Sequence, residues 1–93
     1  MNKKEKRKLI TKMFLTWLTE NYPEYDIDDT EGNGTFNLTN MNYPYEAMSY
    51  HRSYYDVCTV NWAPAEMIEH ETIFNNYIQT VIIPEVDRLE QIS

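Results

Sequence analysis

Positive charge is what this chain lacks after its first dozen residues. Lys3, Lys4, Lys6, Arg7, Lys8 and Lys12 are six of its eight Lys and Arg residues, and only Arg52 and Arg88 follow. Residues 13–93 therefore set two cations against fourteen of the fifteen carboxylates. A surface of that sign repels nucleic acid and anionic membranes and attracts basic protein surfaces. Glycine is nearly as scarce. Gly32 and Gly34 are the two in the chain, which excludes a glycine-rich loop for cradling phosphate. A single cysteine, Cys58, excludes an internal disulfide and points to a reducing compartment. No apolar run is long enough to span a bilayer, and no continuous apolar segment or small-residue cleavage site follows the Lys-rich start. These absences predict a cytoplasmic protein.

What is present suffices for one small folded domain over residues 1–93. Forty-two per cent of the residues are hydrophobic, including three Phe, two Trp and eight Tyr, too many for a disordered chain. Leu9, Ile10, Met13, Phe14, Trp17 and Leu18 recur at helical spacing and predict a helix over residues 4–21, ended by Pro23. Its lysines sit where the helix dipole prefers anions, which predicts a frayed, mobile first turn. Residues 25–30 and 34–40 alternate in polarity around Glu31-Gly32-Asn33-Gly34 and predict a hairpin. Residues 41–52 read as irregular, and the β-branched and aromatic run 53–62 as a third strand. Pro64 suits the first position of a second helix, whose stripe is Ile73, Phe74, Tyr77, Ile78, Val81 and Ile82. Pro84 kinks or breaks it, and Val86, Leu89 and Ile92 continue the stripe. The expected class is α+β: an N-terminal helix, a three-stranded antiparallel sheet and a C-terminal helix interrupted at Pro84.

Sites for chemistry are hard to find. Asp26-x-Asp28-x-Thr30 opens like a calcium loop, but Glu31 and Asn37 stand where that loop needs Gly and Glu. Cys58, His51 and His70 could converge on a metal, yet no spacing demands it, so no metal and no cofactor is expected. Cys58 lies between Val57 and Val60, where a thiol is normally buried and inert. A pair such as His51 and Asp56 needs geometry before it means anything. No catalytic residue is assigned, and the chain is expected not to be an enzyme. The order α-β-β-β-α is also that of double-stranded RNA-binding domains. Those need lysines at the start of the second helix, and here that stretch is Pro64-Ala65-Glu66-Met67-Ile68-Glu69. Direct nucleic-acid binding is therefore not expected.

The acidic and aromatic surface remains. Glu24, Asp26, Asp28, Asp29 and Glu31 form one cluster. On a strand Asp26 and Asp28 share a face about 6.6 Å apart, close to the advance of two nucleotides along DNA, about 6.8 Å. Glu66 and Glu69, with Glu85, Asp87 and Glu90, make a second possible row. Ordinary solubility charge would intersperse both signs. Tyr43, Tyr45 and Tyr50 lie in a Tyr-rich stretch suited to an interface rim or to the core. Arg52 beside Tyr50 and Tyr54 is the one candidate for holding a small nucleotide. The first helix offers a face for a homodimer.

In size, negative charge and α-β-β-β-α layout the chain resembles small acidic phage-encoded inhibitors, anti-CRISPR proteins that mimic DNA. The likeness covers the whole chain and rests on architecture and composition; the basic N terminus departs from a wholly acidic mimic. It implies a protein that occupies the DNA-binding or PAM-reading cleft of a nuclease, its carboxylates pairing with the Arg and Lys that would hold phosphates. Glu24, Asp26, Asp28, Asp29, Glu31, Glu66 and Glu69 would meet the basic partner, with Tyr43, Tyr45 and Tyr50 anchoring the rim. An immunity protein for a nuclease toxin and a nucleotide-sequestering protein are the alternatives.

Overall fold

The computed structural model describes residues 1–29, 32, 34–43 and 47–92. The chain order is α1 (Lys3–Asn21), β1 (Tyr25–Asp28), β2 (Thr35–Asn40), β3 (Met48–His51), β4 (Asp56–Thr59), α2 (Ala65–Tyr77), a π-helical turn (Ile78–Ile82) and α3 (Ile83–Ile92). The class is α+β, as expected. The sheet has four strands rather than three, in the order β1-β2-β3-β4, each antiparallel to the next. None of the helices is long and apolar enough among the described residues to cross a membrane.

The additional strand corrects the sequence reading at one place. Residues 48–51 fall in the stretch expected to be irregular, and residues 52–55 turn the chain into β4 within the run expected to be one strand. The turn carries no glycine. Tyr55 takes the left-handed conformation instead, at φ 55°, which is costly for an aromatic residue. Arg52 N–H donates to the Gly34 carbonyl at 2.9 Å, so the two hairpin tips are bonded to each other. Gly34 sits at φ 91°, with the Arg52 guanidinium where a Cβ would come within 3.1 Å. The positive φ favours glycine, and a side chain would also press the guanidinium aside.

One face of the sheet is apolar. Tyr25, Leu38, Met48, Tyr50 and Val57 point inward, and Ile27 and Phe36 pack beside them. Against them lie Ile10, Phe14 and Leu18 of α1, Met67 and Phe74 of α2, Ile78 and Ile82 of the π turn, and Val86 of α3. Burying each such side chain stabilises the fold by roughly 1.5–3 kcal/mol. Phe14 is the hub, with ring centroids 5.0 Å from Tyr50 and 6.0 Å from Phe74. Tyr50 is therefore a core residue, 0 % exposed, its hydroxyl 3.1 Å from Thr11 Oγ1. It cannot anchor an interface rim, nor line a nucleotide pocket beside Arg52.

The C-terminal helices show why a π turn is there. From His70 onward their buried residues are His70, Phe74, Ile78, Ile82 and Val86, every fourth position. In an α-helix a step of four overshoots a full turn by about 40°. Four such steps would swing the stripe off the sheet. The π turn takes more residues per revolution and brings the stripe back. Ile83 N–H bonds to the Ile78 carbonyl, five residues earlier. The widened turn also accommodates Pro84, whose ring in a regular helix would strike the carbonyl four residues before it. The proline thus marks a change of register within one continuous rod.

The first turn of α1, expected to fray, is capped and tied in the structure. Asn2 Oδ1 accepts from Glu5 N–H at 2.9 Å and caps the helix. Lys6 reaches Asp87 at 2.7 Å and Glu90 at 3.5 Å, tying α1 to α3. Pro64 is the residue before α2, one position earlier than predicted, and its carbonyl accepts from Met67 N–H at 2.9 Å.

Candidate functional site

The helices pack on the inner face of the sheet, and among the described residues no element covers the outer face. The registers place the outward residues in rows. One row crosses all four strands: Asp28 opposite Asn37, Asn37 opposite Ser49, Ser49 opposite Cys58. Beside it Thr35 faces His51, and His51 faces Asp56; on the other side Asp26 faces Thr39. Every residue of these rows is polar, as an antiparallel sheet covered on one side requires. A depression of about 230 Å³ is lined by Asn37, Ser49, Cys58 and Thr59 together with the apolar Ala47, Met48 and Val60.

The acidic cluster lies at one margin of this face. Asp26 is exposed and Asp28 half-buried on β1, with Glu24 just before the strand and Asp29 just after it. Asp29 Oδ1 accepts from Gly32 N–H at 3.2 Å. Among the described residues no Lys or Arg forms an ion pair with Glu24, Asp26, Asp28 or Asp29. Glu31 and Tyr45 lie outside the described residues.

The second row of acids is different. Glu85 is bonded by Arg88, whose Nε lies 3.0 Å from its carboxylate, and the guanidinium holds that carboxyl below its usual range. Asp87 and Glu90 share Lys6, whose ammonium they push upward. Glu85 is thus paired within α3, while Asp87 and Glu90 tie α3 to α1, and none of the three extends the first cluster. Glu66 accepts from the Tyr43 hydroxyl at 2.9 Å, which links the β2–β3 connection to the first turn of α2. Glu69 is exposed on the same helix. Tyr43 and Glu66 are thus joined, but by a contact within the fold.

At the opposite margin stand three groups that sequence reasoning considered and set aside. His51 Nδ1 lies 3.3 Å from Asp56 Oδ1, and Cys58 Sγ lies 3.7 Å from Asp56 Oδ2. The other nitrogen of His51 faces Ser49 Oγ at 3.4 Å. Cys58 is exposed rather than buried, because its strand position points outward, away from Val57. Partial burial and the neighbouring Asp56 and Glu71 carboxylates push its thiol up, so it is a poor nucleophile on its own. His70, the third metal candidate, is elsewhere. It is buried beneath Tyr22 and Phe74, and its Nδ1 meets the Tyr25 hydroxyl at 2.7 Å. Burial pushes that hydroxyl up to about 12. The Tyr25–His70 pair is a satisfied polar contact of the core.

No protein-family model, no curated protein and no solved structure matches this chain. Its chemistry has to be read from its own side chains.

Proposed function

We propose that the chain is a stoichiometric binding protein whose β1 margin docks on a basic, nucleic-acid-handling protein and blocks the surface that would hold phosphates. One observation carries the reading. Glu24, Asp26, Asp28 and Asp29 lie together without a cationic partner among the described residues, while Glu85, Asp87 and Glu90 are each answered by Lys6 or Arg88. Charges left unanswered in a fold that neutralises others are available to a partner. Asp26 and Asp28 share one face of an edge strand at about the spacing of alternate phosphates. Arg and Lys side chains of the partner would meet them as charge-assisted hydrogen bonds. In the setting implied by the anti-CRISPR resemblance, the partner is a phage-defence nuclease and the effect is inhibition.

Competition tests this directly. The purified chain is titrated into complexes of effector nucleases with labelled duplex DNA. Release of DNA near equimolar chain is the expected result, with association slowed steeply as salt rises to about 0.5 M. The double variant Asp26→Asn, Asp28→Asn is expected to lose at least about tenfold in affinity, as removal of two interfacial charges should. Affinity indifferent to both salt and the double substitution would overturn the reading.

A further inference from the structure

We propose that His51, Asp56 and Cys58 form a site for one divalent transition-metal ion of the zinc type, its fourth position open on the outer face of the sheet. The inference is independent of the acidic margin and of the partner proposed for it.

The three donors are brought together by the β3–β4 hairpin. His51 and Asp56 are paired across the strands, and Cys58 follows Asp56 by two residues on the same face. One donor atom from each lies within 4.8 Å of the others. Zinc bonds of about 2.0–2.3 Å at tetrahedral angles put neighbouring donors about 3.4–3.6 Å apart. The observed separations, 3.3 Å from His51 Nδ1 to Asp56 Oδ1 and 3.7 Å from Cys58 Sγ to Asp56 Oδ2, lie close to that range, each to a different oxygen of the carboxylate.

Two further observations point at the centre of this triangle. Asp56 Oδ1 is buried and makes no hydrogen bond, although it faces His51. The polar group facing it is His51 Nδ1 at 3.3 Å, and a cation between the two would satisfy both. His51 is also oriented as a ligand should be. Its Nδ1 faces the triangle, while its Nε2 faces the Ser49 hydroxyl. Metal-bound imidazoles commonly donate their other N–H to such an acceptor, which fixes tautomer and ring angle. The mixture of nitrogen, carboxylate oxygen and thiolate sulfur suits zinc and excludes the hard cations calcium and magnesium. With three protein ligands, water takes the fourth position in the isolated chain. The depression among Asn37, Ser49, Cys58 and Thr59 adjoins it.

Cys58 is the one cysteine of the chain, so its alkylation rate reports this site alone. The rate is measured with N-ethylmaleimide, with and without zinc, and Co²⁺ absorption is recorded in parallel. Zinc is expected to slow labelling at least about tenfold, and Co²⁺ to show thiolate charge-transfer bands with the strong visible absorption of a tetrahedral site. His51→Ala and Asp56→Asn should each abolish the protection. Ser49→Ala, which leaves all three ligands in place, should weaken zinc binding by about 10–100-fold. Far-UV circular dichroism of each variant without metal establishes that the hairpin is folded. Equal labelling rates with and without zinc in the wild-type chain would overturn the proposal. So would protection that survives both Asp56→Asn and His51→Ala.

Discussion

The two edges of the sheet are managed in opposite ways. β4 is closed. Asn75 of α2 donates its amide to the Val57 carbonyl at 2.8 Å and accepts from Val57 N–H at 2.7 Å. Glu71, one turn earlier, accepts from Thr59 N–H and from its hydroxyl. The helix thus supplies, through two side chains, the bonds a fifth strand would have made. β1 has no such cover among the described residues, and what lies along it is negative charge. An uncovered edge invites pairing with other chains, and carboxylates are one way to forbid it. They are also one way to select a partner. The contrast shows that this fold can cap an edge with side chains, and does so at one margin while leaving the other charged.

The largest effect expected from this contrast is on the inner side of β1. Tyr25 must stay protonated beside His70, and its hydroxyl is raised from the ordinary 10.0 to about 12. A raised value in the fold means stability is intact below the unfolded value and is lost as pH climbs through the folded one. This hydroxyl should therefore contribute a loss of about 2–3 kcal/mol in denaturant melts between about pH 10 and pH 12. Tyr25→Phe should flatten that decline; an unchanged slope would mean the pair is not what holds this margin. Next comes the capped edge. Asn75→Ala removes two bonds and leaves a part-buried amide and carbonyl unmatched, for a loss of about 2 kcal/mol and a melting point lower by roughly 8–16 °C. If the variant melts like the wild type, α2 does not seal β4. The smallest effect belongs to the outer side of β1. Asp26→Asn with Asp28→Asn should change stability by less than about 0.5 kcal/mol, since neither acid holds the fold together. A larger loss in the same melts would make them structural and remove them from any docking surface.

Several elements could be read directly from the residues, and particular ones explain the rest. The stripe from Leu9 to Leu18 has a single period, and Gly32 and Gly34 sit where a hairpin needs them, so α1 and the β1–β2 pair were legible. β3 was not, because the turn after it uses Tyr55 in a conformation that composition signals only through glycine or asparagine. Losing that turn also hid the site. Residues 49, 51, 56 and 58 share a face only once the hairpin is closed at 52–55. Tyr50 illustrates a different limit. A tyrosine suits a wet rim and a buried hydrogen bond equally well, and Thr11, far away in sequence, decided between them. The acids of α3 looked like an extension of the first cluster until Lys6 was seen to lie against them.

The contact between Gly34 and Arg52 has a consequence for how this molecule tolerates change. The guanidinium occupies the space a side chain at position 34 would need. A side chain there would strain the backbone at its positive φ and press the Arg52 guanidinium aside by a few tenths of an ångström, next to the loop between His51 and Asp56. Variation in the first hairpin would therefore be felt as misalignment in the second, and the sheet's two tips should drift through evolution as a linked pair.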